Sequence, residues 1–300
     1  MSNLLTTILR NRRLAMAFAA CILCVACRTP QPVPEGPPPD AADLLREYNK
    51  RAEGIRRIWA RVEVEAHWVD EDGSSQSERG DGQLFVRKPR ELALTIGKLG
   101  DIYFWLGCNE RAFWWFDENP HDKLPNTAYI GLNENIGKPG MPRLPTPVPP
   151  DQLIELLGIT ELPPESIEAA KVTMPKGGGA AIWFDIPNRL SNNTVKQRVL
   201  VGAITGRPLA IQFADQQGRI IAEARLSEYQ LMKVPDAPYG AWPYVATRID
   251  INIPEPKSSL TLHMEGLRSD KSKFKDALFD FAALQAARKP EQIRDLAPKP

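Results

Sequence analysis

Residues 199–267 alternate between apolar and polar side chains in four successive runs, and this pattern constrains the fold more than any other. Neighbouring side chains of a β-strand point to opposite faces, so each run predicts a strand with one apolar face. Short turn sequences at residues 205–208, 215–218 and 254–256 separate the runs, which predicts antiparallel pairing. The apolar positions are Leu209, Ile211, Phe213, Ile220, Ala222, Ala224, Leu226, Val245, Thr247, Ile249, Ile251, Ile253, Leu260, Leu262 and Met264.

The rest of the chain predicts more strands of the same kind and three helices. Spacing of three to four between apolar residues predicts helices over residues 41–58, 151–157 and 271–288, with Asp40 and Asp151 as N-caps of the first two. Eight further strands are predicted at residues 59–69, 82–88, 91–96, 101–106, 112–117, 167–174, 180–187 and 195–204.

Four consecutive aromatic residues, Phe113 to Phe116, stand in one predicted strand. Adjacent side chains face opposite sides of a sheet, so both faces must be covered there, one by a helix and one by the interior of a curved sheet. Aromatic side chains bury large areas, which favours a core anchor. A platform for a substrate is the alternative.

The N-terminus is typical of an exported bacterial lipoprotein. Arg10, Arg12 and Arg13 precede an apolar run at residues 14–26 that is too short to span a bilayer of ~30 Å, so residues 1–26 are interpreted as a signal peptide. The run ends in Cys24-Val25-Ala26-Cys27, which resembles a lipobox with Cys24 where leucine is usual. Cys27 would then be the lipid attachment residue, acylated with chains such as palmitate. An ordinary secretory signal is the alternative.

Proline distribution divides the remaining chain. Residues 27–40 are rich in proline and predict an extended tether that holds a domain up to ~40 Å from the membrane. Residues 41–288 are predicted to form a single domain, interrupted at residues 118–150 by a proline-rich insert without long elements. Residues 289–300 are predicted to be a loose tail.

Charge and motif content argue against several classes of function. The chain has 38 basic and 37 acidic residues and no basic stripe, which argues against a nucleic-acid partner. The three histidines are far apart, and no metal, phosphate-loop or nucleophile-elbow motif occurs, so we expect no cofactor, no metal site and no enzyme activity. Cys108, the single cysteine of the domain, is expected to be packed rather than reactive.

The order of these elements resembles the LolA/LolB-like family of lipoprotein carriers and receptors. An amphipathic helix is followed by a strand meander in which Gln83-Leu84-Phe85-Val86-Arg87-Lys88-Pro89 leads to Leu92-Ala93-Leu94 and then to the aromatic strand. The second half continues the similarity with Thr205-Gly206-Arg207-Pro208, Ser227-Glu228-Tyr229 and a strand over residues 244–253. The proline-rich insert departs from the pattern, and the exposed loop leucine that LolB uses on membranes is not assigned.

The resemblance implies a mainly β (α+β) fold: a strongly curved antiparallel sheet forming a half-open barrel with helices covering its mouth. It also implies an apolar cavity that holds acyl chains. Small residues such as Ala222 and Ala224 could leave volume unfilled there, or they could simply admit neighbouring side chains. The predicted cavity residues are Phe85, Leu94, Trp105, Trp115, Phe213, Ala222, Ala224, Leu226, Ile249 and Ile251.

Two functions follow as expectations. The first is a membrane-anchored envelope lipoprotein, monomeric, that binds acyl chains of lipids or lipoproteins as a carrier or receptor. The second is a non-enzymatic protein-interaction or sensor module with the same fold and a filled core. Arg28 follows Cys27 in place of an inner-membrane retention Asp, which favours the outer membrane, facing the periplasm.

Overall fold

The structure is a computed structural model, and it describes residues 40–70, 72–118, 125–136, 138, 140, 148–175, 179–186, 195–235, 237–255 and 257–298. The predicted signal peptide, Cys27 and nearly all of the predicted tether lie outside these residues. None of the described helices has the length and apolar composition needed to span a bilayer.

The described residues form one sheet of fourteen strands. The order across the sheet is β14-β6-β5-β4-β3-β2-β1-β13-β12-β11-β10-β9-β8-β7, and the pairings are antiparallel except for β14 with β6. The strands are β1 (Arg57–Val69), β2 (Ser75–Arg87), β3 (Glu91–Lys98), β4 (Asp101–Cys108), β5 (Ala112–Asp117), β6 (Thr127–Leu132), β7 (Lys171–Thr173), β8 (Ala181–Ile186), β9 (Lys196–Gly202), β10 (Pro208–Ala214), β11 (Ile220–Leu231), β12 (Tyr244–Ile253), β13 (Ser258–Arg268) and β14 (Gln292–Asp295).

Three α-helices accompany the sheet: α1 (Ala41–Glu53), α2 (Pro150–Leu156) and α3 (Phe281–Arg288). Asp40 caps α1 as predicted, because its carboxylate accepts the Ala42 N–H at 2.7 Å. The helix ends before Gly54 rather than at residue 58, since β1 begins at Arg57. Single 3₁₀ turns occur at Asn133–Asn135, Pro164–Ile167, Tyr239–Ala241, Lys271–Lys273 and Asp276–Phe279.

The predicted fold class is confirmed as mostly β, with one large, curved, antiparallel-rich sheet and three helices. The sheet is not closed into a barrel, because β14 and β7 form its two edges and do not pair with each other in the described chain.

One face of the sheet, here called the inner face, is apolar from strand to strand. The register places one side chain from each of six neighbouring strands in a row, from β1 to β6. All six belong to or pack against the largest core cluster, which therefore runs across the sheet. The row is Ala60, Leu84, Leu94, Leu106, Trp115 and Tyr129.

The opposite, outer face is apolar over β1–β6, where the C-terminal segment covers it, and in a smaller patch over β8–β10 that contains Ala181, Leu200 and Ala210. Trp114 and Phe116 of β5 pack with Phe281 and Leu284 of α3, whereas Phe113 and Trp115 lie on the inner face. The prediction that the four aromatics cover both faces is therefore confirmed. α3 is fixed by Arg288, whose guanidinium donates to both carboxylate oxygens of Glu118 at 2.5 Å.

Besides α1, several predicted elements differ from the structure. The helix predicted over residues 271–288 is α-helical only at Phe281–Arg288, and the 3₁₀ turns Lys271–Lys273 and Asp276–Phe279 precede it. Residues 292–295 are not loose but form β14 beside β6, and the predicted insert itself contributes β6 (Thr127–Leu132). The second helix begins at Pro150 with Pro149 as its N-cap, so Asp151 is not the cap. Residues 164–167 form a 3₁₀ turn, which shortens the predicted strand at residues 167–174 to Lys171–Thr173.

Gly158 follows α2 with φ +67°, and a Cβ there would lie 2.9 Å from Leu226 Cδ2 and from Pro208 Cγ. We expect Gly158→Ala to lower the free energy of unfolding by about 2–3 kcal/mol, from the left-handed backbone and the contact with β10 and β11. Gly218→Ala is the matched control, because Gly218 has φ +81° and open space around it, and it should cost only about 1 kcal/mol. Urea unfolding measures both, and equal losses would contradict the tight contact.

Candidate ligand-binding face

Eight of the ten predicted cavity residues lie together on the inner face. They belong to the largest core cluster, and each is 5% exposed or less. The register explains the grouping on β10–β12, where Phe213 is opposite Ala222 and Ala224 is opposite Ile251. The eight are Leu94, Trp115, Phe213, Ala222, Ala224, Leu226, Ile249 and Ile251.

The other two predicted cavity residues, Phe85 and Trp105, do not lie with this group. Phe85 lies on the outer face beside Ala93, Phe274 and Phe279. Trp105 also lies on the outer face, where it packs with the Trp114 cluster. The reason is the alternation of side chains: the inner positions of β2 and β4 are taken by their neighbours in sequence.

An aromatic stack ends the inner face at β5 and β6. The Trp115 and Tyr129 rings are nearly parallel, 13° apart in plane, with centroids 4.6 Å apart. Phe113 extends the stack, with its centroid 6.4 Å from that of Trp115. The substrate-platform interpretation is not needed for Trp115, because it is 5% exposed and belongs to the core.

Two short helices cover the inner face. From α1, four side chains pack into the same core cluster as the eight residues, and from α2 three do so. The seven are Leu44, Leu45, Tyr48, Ala52, Leu153, Ile154 and Leu156. We refer to α1, α2 and residues 157–162 as the cover.

Polar side chains of α1 hold the cover together. The Tyr48 hydroxyl donates to Thr160 O at 3.0 Å. Asn49 forms two bonds to Leu162, donating from Nδ2 to its carbonyl and accepting its N–H at Oδ1, both at 2.8 Å. The Arg51 guanidinium donates to Gly158 O at 2.5 Å and to Tyr244 O at 3.2 Å.

Lys88, which follows β2, adds bonds to the cover from the sheet. We refer to the bonds of Tyr48, Asn49, Arg51 and Lys88 as the clamp. The Lys88 ammonium donates to Ala52 O at 2.8 Å and Ile159 O at 3.2 Å, and it pairs with Glu161 at 2.6 Å. One side chain thus ties the sheet to α1 and to residues 157–162. The cover is attached by apolar contacts beneath and by hydrogen bonds at its rim.

Burial raises the pKa of the Tyr48 hydroxyl to about 12. An unfolded tyrosine titrates near 10, so the folded state holds this proton more tightly. The contribution of the Tyr48 hydroxyl to the free energy of unfolding is complete below pH ~10 and is lost as the pH rises through 12. We expect the free energy of unfolding to decline by about 1–3 kcal/mol across this window, and the free energy of unfolding of the Tyr48→Phe variant to decline less. Urea unfolding at several pH values measures both. Equal declines would contradict the burial of the hydroxyl.

A cleft of about 770 Å³ lies between the Pro164–Ile167 turn and the ends of β8–β10, and Ile186 of the inner-face cluster is among its lining residues. Acidic and basic side chains line it in similar number, among them Glu168, Asp185, Lys171 and Lys196. This balance gives it no preference for an anion or a cation, and it does not contain any of the predicted cavity residues.

Cys108 is fully buried, and its thiol donates to Arg90 O at 3.5 Å. Burial raises the pKa of the thiol, which keeps it protonated at neutral pH and unreactive as a nucleophile. In the part of the chain that the structure describes, no group of three metal-ligating side chains comes together.

An exposed leucine, which the sequence did not single out, stands at the tip of the β3–β4 hairpin. Leu99 is 99% exposed and has φ +55°, a conformation unusual for a residue other than glycine. The sequence places Leu99 in the connection between the strands predicted at residues 91–96 and 101–106, and the structure shows that its side chain stays in solvent.

Comparison with solved structures shows the fold. A DUF1329 family protein from Desulfovibrio piger superposes with a TM-score of 0.52 at 10% identity, covering 82% of this chain and 100% of that one. The two chains share a fold. A LolA superfamily protein from Nitrosomonas europaea gives 0.48 at 12% identity, covering 79% and 98% of the two chains. A domain assigned to outer membrane lipoprotein sorting in Vibrio parahaemolyticus gives 0.44 at 12% identity, covering 81% and 97%.

No protein-family model and no curated protein matches the sequence. At 10% identity, the match to the DUF1329 family protein shows a shared fold and nothing beyond it.

Proposed function

We propose that this protein is an envelope lipoprotein that binds acyl chains of lipids or lipoproteins between the inner face and the cover. In this proposal the curved sheet acts as a half-open barrel, and α1 and α2 lie at its mouth. Cys27 carries the acyl anchor, and residues 27–40 tether the domain to the periplasmic side of the outer membrane. The protein acts as a carrier or receptor, as a monomer, without catalysis.

The continuous apolar surface beneath a small cover carries this proposal. α1 and α2 comprise 13 and 7 residues, yet the apolar core against which they pack extends across many strands. An acyl chain that replaced the contacts of the helices would keep that surface out of water, at about 0.8 kcal/mol per buried CH₂.

The rim bonds support opening of the cover. Most of them run from side chains to backbone carbonyls, which water can also satisfy. The neutral donors Tyr48 and Asn49 contribute about 1 kcal/mol net per bond, and the charged donors Arg51 and Lys88 about 1.5–3 kcal/mol. The cover can therefore separate from the sheet without leaving polar groups unpaired. The cost of separation is the exposure of the apolar side chains, which a bound acyl chain offsets.

One observation favours the second function, an interaction module with a filled core. The eight inner-face residues are already 0–5% exposed without a ligand, so side chains fill the space around them. In that case the protein surface, rather than the inner face, would bind a partner protein in the envelope.

Native mass spectrometry of the full chain, extracted from the envelope in a mild detergent, tests the two functions. The carrier function predicts about one co-purifying lipid or acylated ligand per chain, together with an acyl mass on Cys27. A chain that stays ligand-free after incubation with fatty acids and phospholipids would overturn it in favour of the interaction module. The mass of Cys27 tests the anchor separately, because acylation there does not depend on cargo.

A further inference from the structure

Exposed aromatic side chains collect where β11 ends and β12 begins. Tyr239 is 67% exposed and Tyr244 38%, and Ile204, in the nearby β9–β10 turn, is 65% exposed. The turn lies at the same end of the sheet, because β9, β10, β11 and β12 pair in antiparallel register. Large apolar side chains are usually buried, so a cluster of them on the surface indicates an interaction site.

The loop between these strands is held in one shape. The Met232 N–H donates to Pro243 O at 2.9 Å and so closes the loop at its base. The Trp242 indole N–H donates to Ala237 O at 3.1 Å, and the Tyr239 and Trp242 ring centroids lie 4.8 Å apart. These bonds within the loop therefore hold the Tyr239 and Trp242 rings in fixed positions.

Basic side chains surround the rings. The Arg207 guanidinium lies 3.7 Å from the centroid of the Tyr244 ring. Lys233 pairs with Arg268 in a β-bridge, which brings the end of β13 and the following turn to the same place. Residues 232–244 and 268–275 together contain five basic and two acidic residues. One of the acids, Asp270, accepts the Ser272 N–H at 3.0 Å as a cap.

We propose that this aromatic–basic end, formed by Tyr239, Trp242, Tyr244, Arg207, Lys233 and Arg268, docks on the surface of an anionic phospholipid bilayer. Tyr and Trp are the residues that prefer the membrane interface, since the ring enters the headgroup layer and its polar atom stays in water. Each Lys or Arg near an anionic surface strengthens binding about fivefold.

This docking goes beyond cargo binding and uses a surface next to the cover, since Arg51 of α1 donates to Tyr244 O at 3.2 Å. Its effect is to orient the domain. An acyl anchor at Cys27 alone would leave the domain free to turn at the end of a tether of up to ~40 Å. A second contact would fix which end of the sheet meets the bilayer.

Hydrogen–deuterium exchange of the full chain tests the proposal. The chain is mixed with vesicles of phosphatidylethanolamine and phosphatidylglycerol, and separately with vesicles of phosphatidylcholine. We expect exchange in residues 232–244 and 268–275 to slow at least threefold with the anionic vesicles only. The protection should disappear in ~1 M NaCl, where the Debye length is ~3 Å. The readout is local, so it works whether or not Cys27 is acylated.

Two variants and one control complete the test. Tyr239→Ser with Tyr244→Ser, and Lys233→Glu with Arg268→Glu, should each abolish the protection while the melting temperature stays that of the parent. Leu99→Ser should leave the protection intact, because the register from Arg268 through Trp59 and Phe85 reaches the start of β3, whereas Leu99 follows its end. Protection that is equal with both vesicles, or that falls on residues 97–101 instead, would overturn the proposal. Retained protection in the charge-reversed variant would do the same.

Discussion

Trp114→Ala should lower the free energy of unfolding by about 3–5 kcal/mol, the range expected for removing a fully buried tryptophan. Trp114 is 0% exposed, and its ring lies against the backbone of Gly107, where a Cβ would approach Trp114 Nε1 to 2.5 Å. On its other side the ring meets Phe281 of α3, with centroids 6.1 Å apart. The substitution therefore removes the surface on which α3 rests.

Urea unfolding measures the total loss, and hydrogen exchange locates it. We expect the amides of α3 and β14 to lose protection before those of β1 and β13, because the latter lie in the centre of the sheet. Trp68→Ala is the matched control. Trp68 is half-buried near the end of β1, where its indole N–H donates to Asp70 at 2.9 Å, and its removal should cost about 1 kcal/mol. Equal losses of unfolding free energy in the two variants would show that the Trp114 contacts do not stabilise the C-terminal segment on the outer face.

Alternation of apolar residues predicted most of the sheet, because most strands bury at least one face in a single long core, although β7 and β14 do not. The four runs at residues 199–267 correspond to β10–β13, and the turns between them lie where the sequence placed them. Pairing of β10 with β11 and of β12 with β13 also follows from the sequence, since these short hairpins permit only neighbouring antiparallel strands, whereas residues 232–243 join β11 to β12 by a longer connection.

Phe85 and Trp105 are predicted cavity residues, but both lie on the outer face. Leu84 and Val86 flank Phe85 within β2, and both belong to the inner cluster. Strict use of the period of two would have placed Phe85 on the outer face.

β14 and the clamp could not be predicted from local sequence. Residues 292–295 contain one apolar side chain, and they form a strand because the edge of β6 offers unpaired backbone groups to a segment held in place by Leu296. The clamp joins residues about 110 positions apart, Asn49 to Leu162 among them, and no spacing rule connects such residues.

Lys88→Met should speed the exchange of a bound acyl ligand about tenfold or more, if the inner face binds cargo as proposed. Methionine keeps most of the apolar length of the side chain but removes three interactions, to Ala52 O, Ile159 O and Glu161. Bonds to a charged group contribute about 1.5–3 kcal/mol each, so their loss moves the equilibrium toward an open cover by at least one factor of ten. A fluorescent fatty acid, displaced by an unlabelled one, reports the rate.

The control for this experiment is Lys50→Met, because Lys50 is exposed in the last turn of α1 and carries the same charge. It should leave the exchange rate unchanged. Hydrogen exchange separates opening of the cover from general destabilisation: with Lys88→Met, α1 and residues 157–162 should lose protection while β12 and β13 keep theirs. Ligand exchange that is unaffected despite a loosened cover would mean that acyl chains do not enter beneath it, and the filled-core function would then stand. Unchanged protection of the cover would instead contradict the role of Lys88 in the clamp.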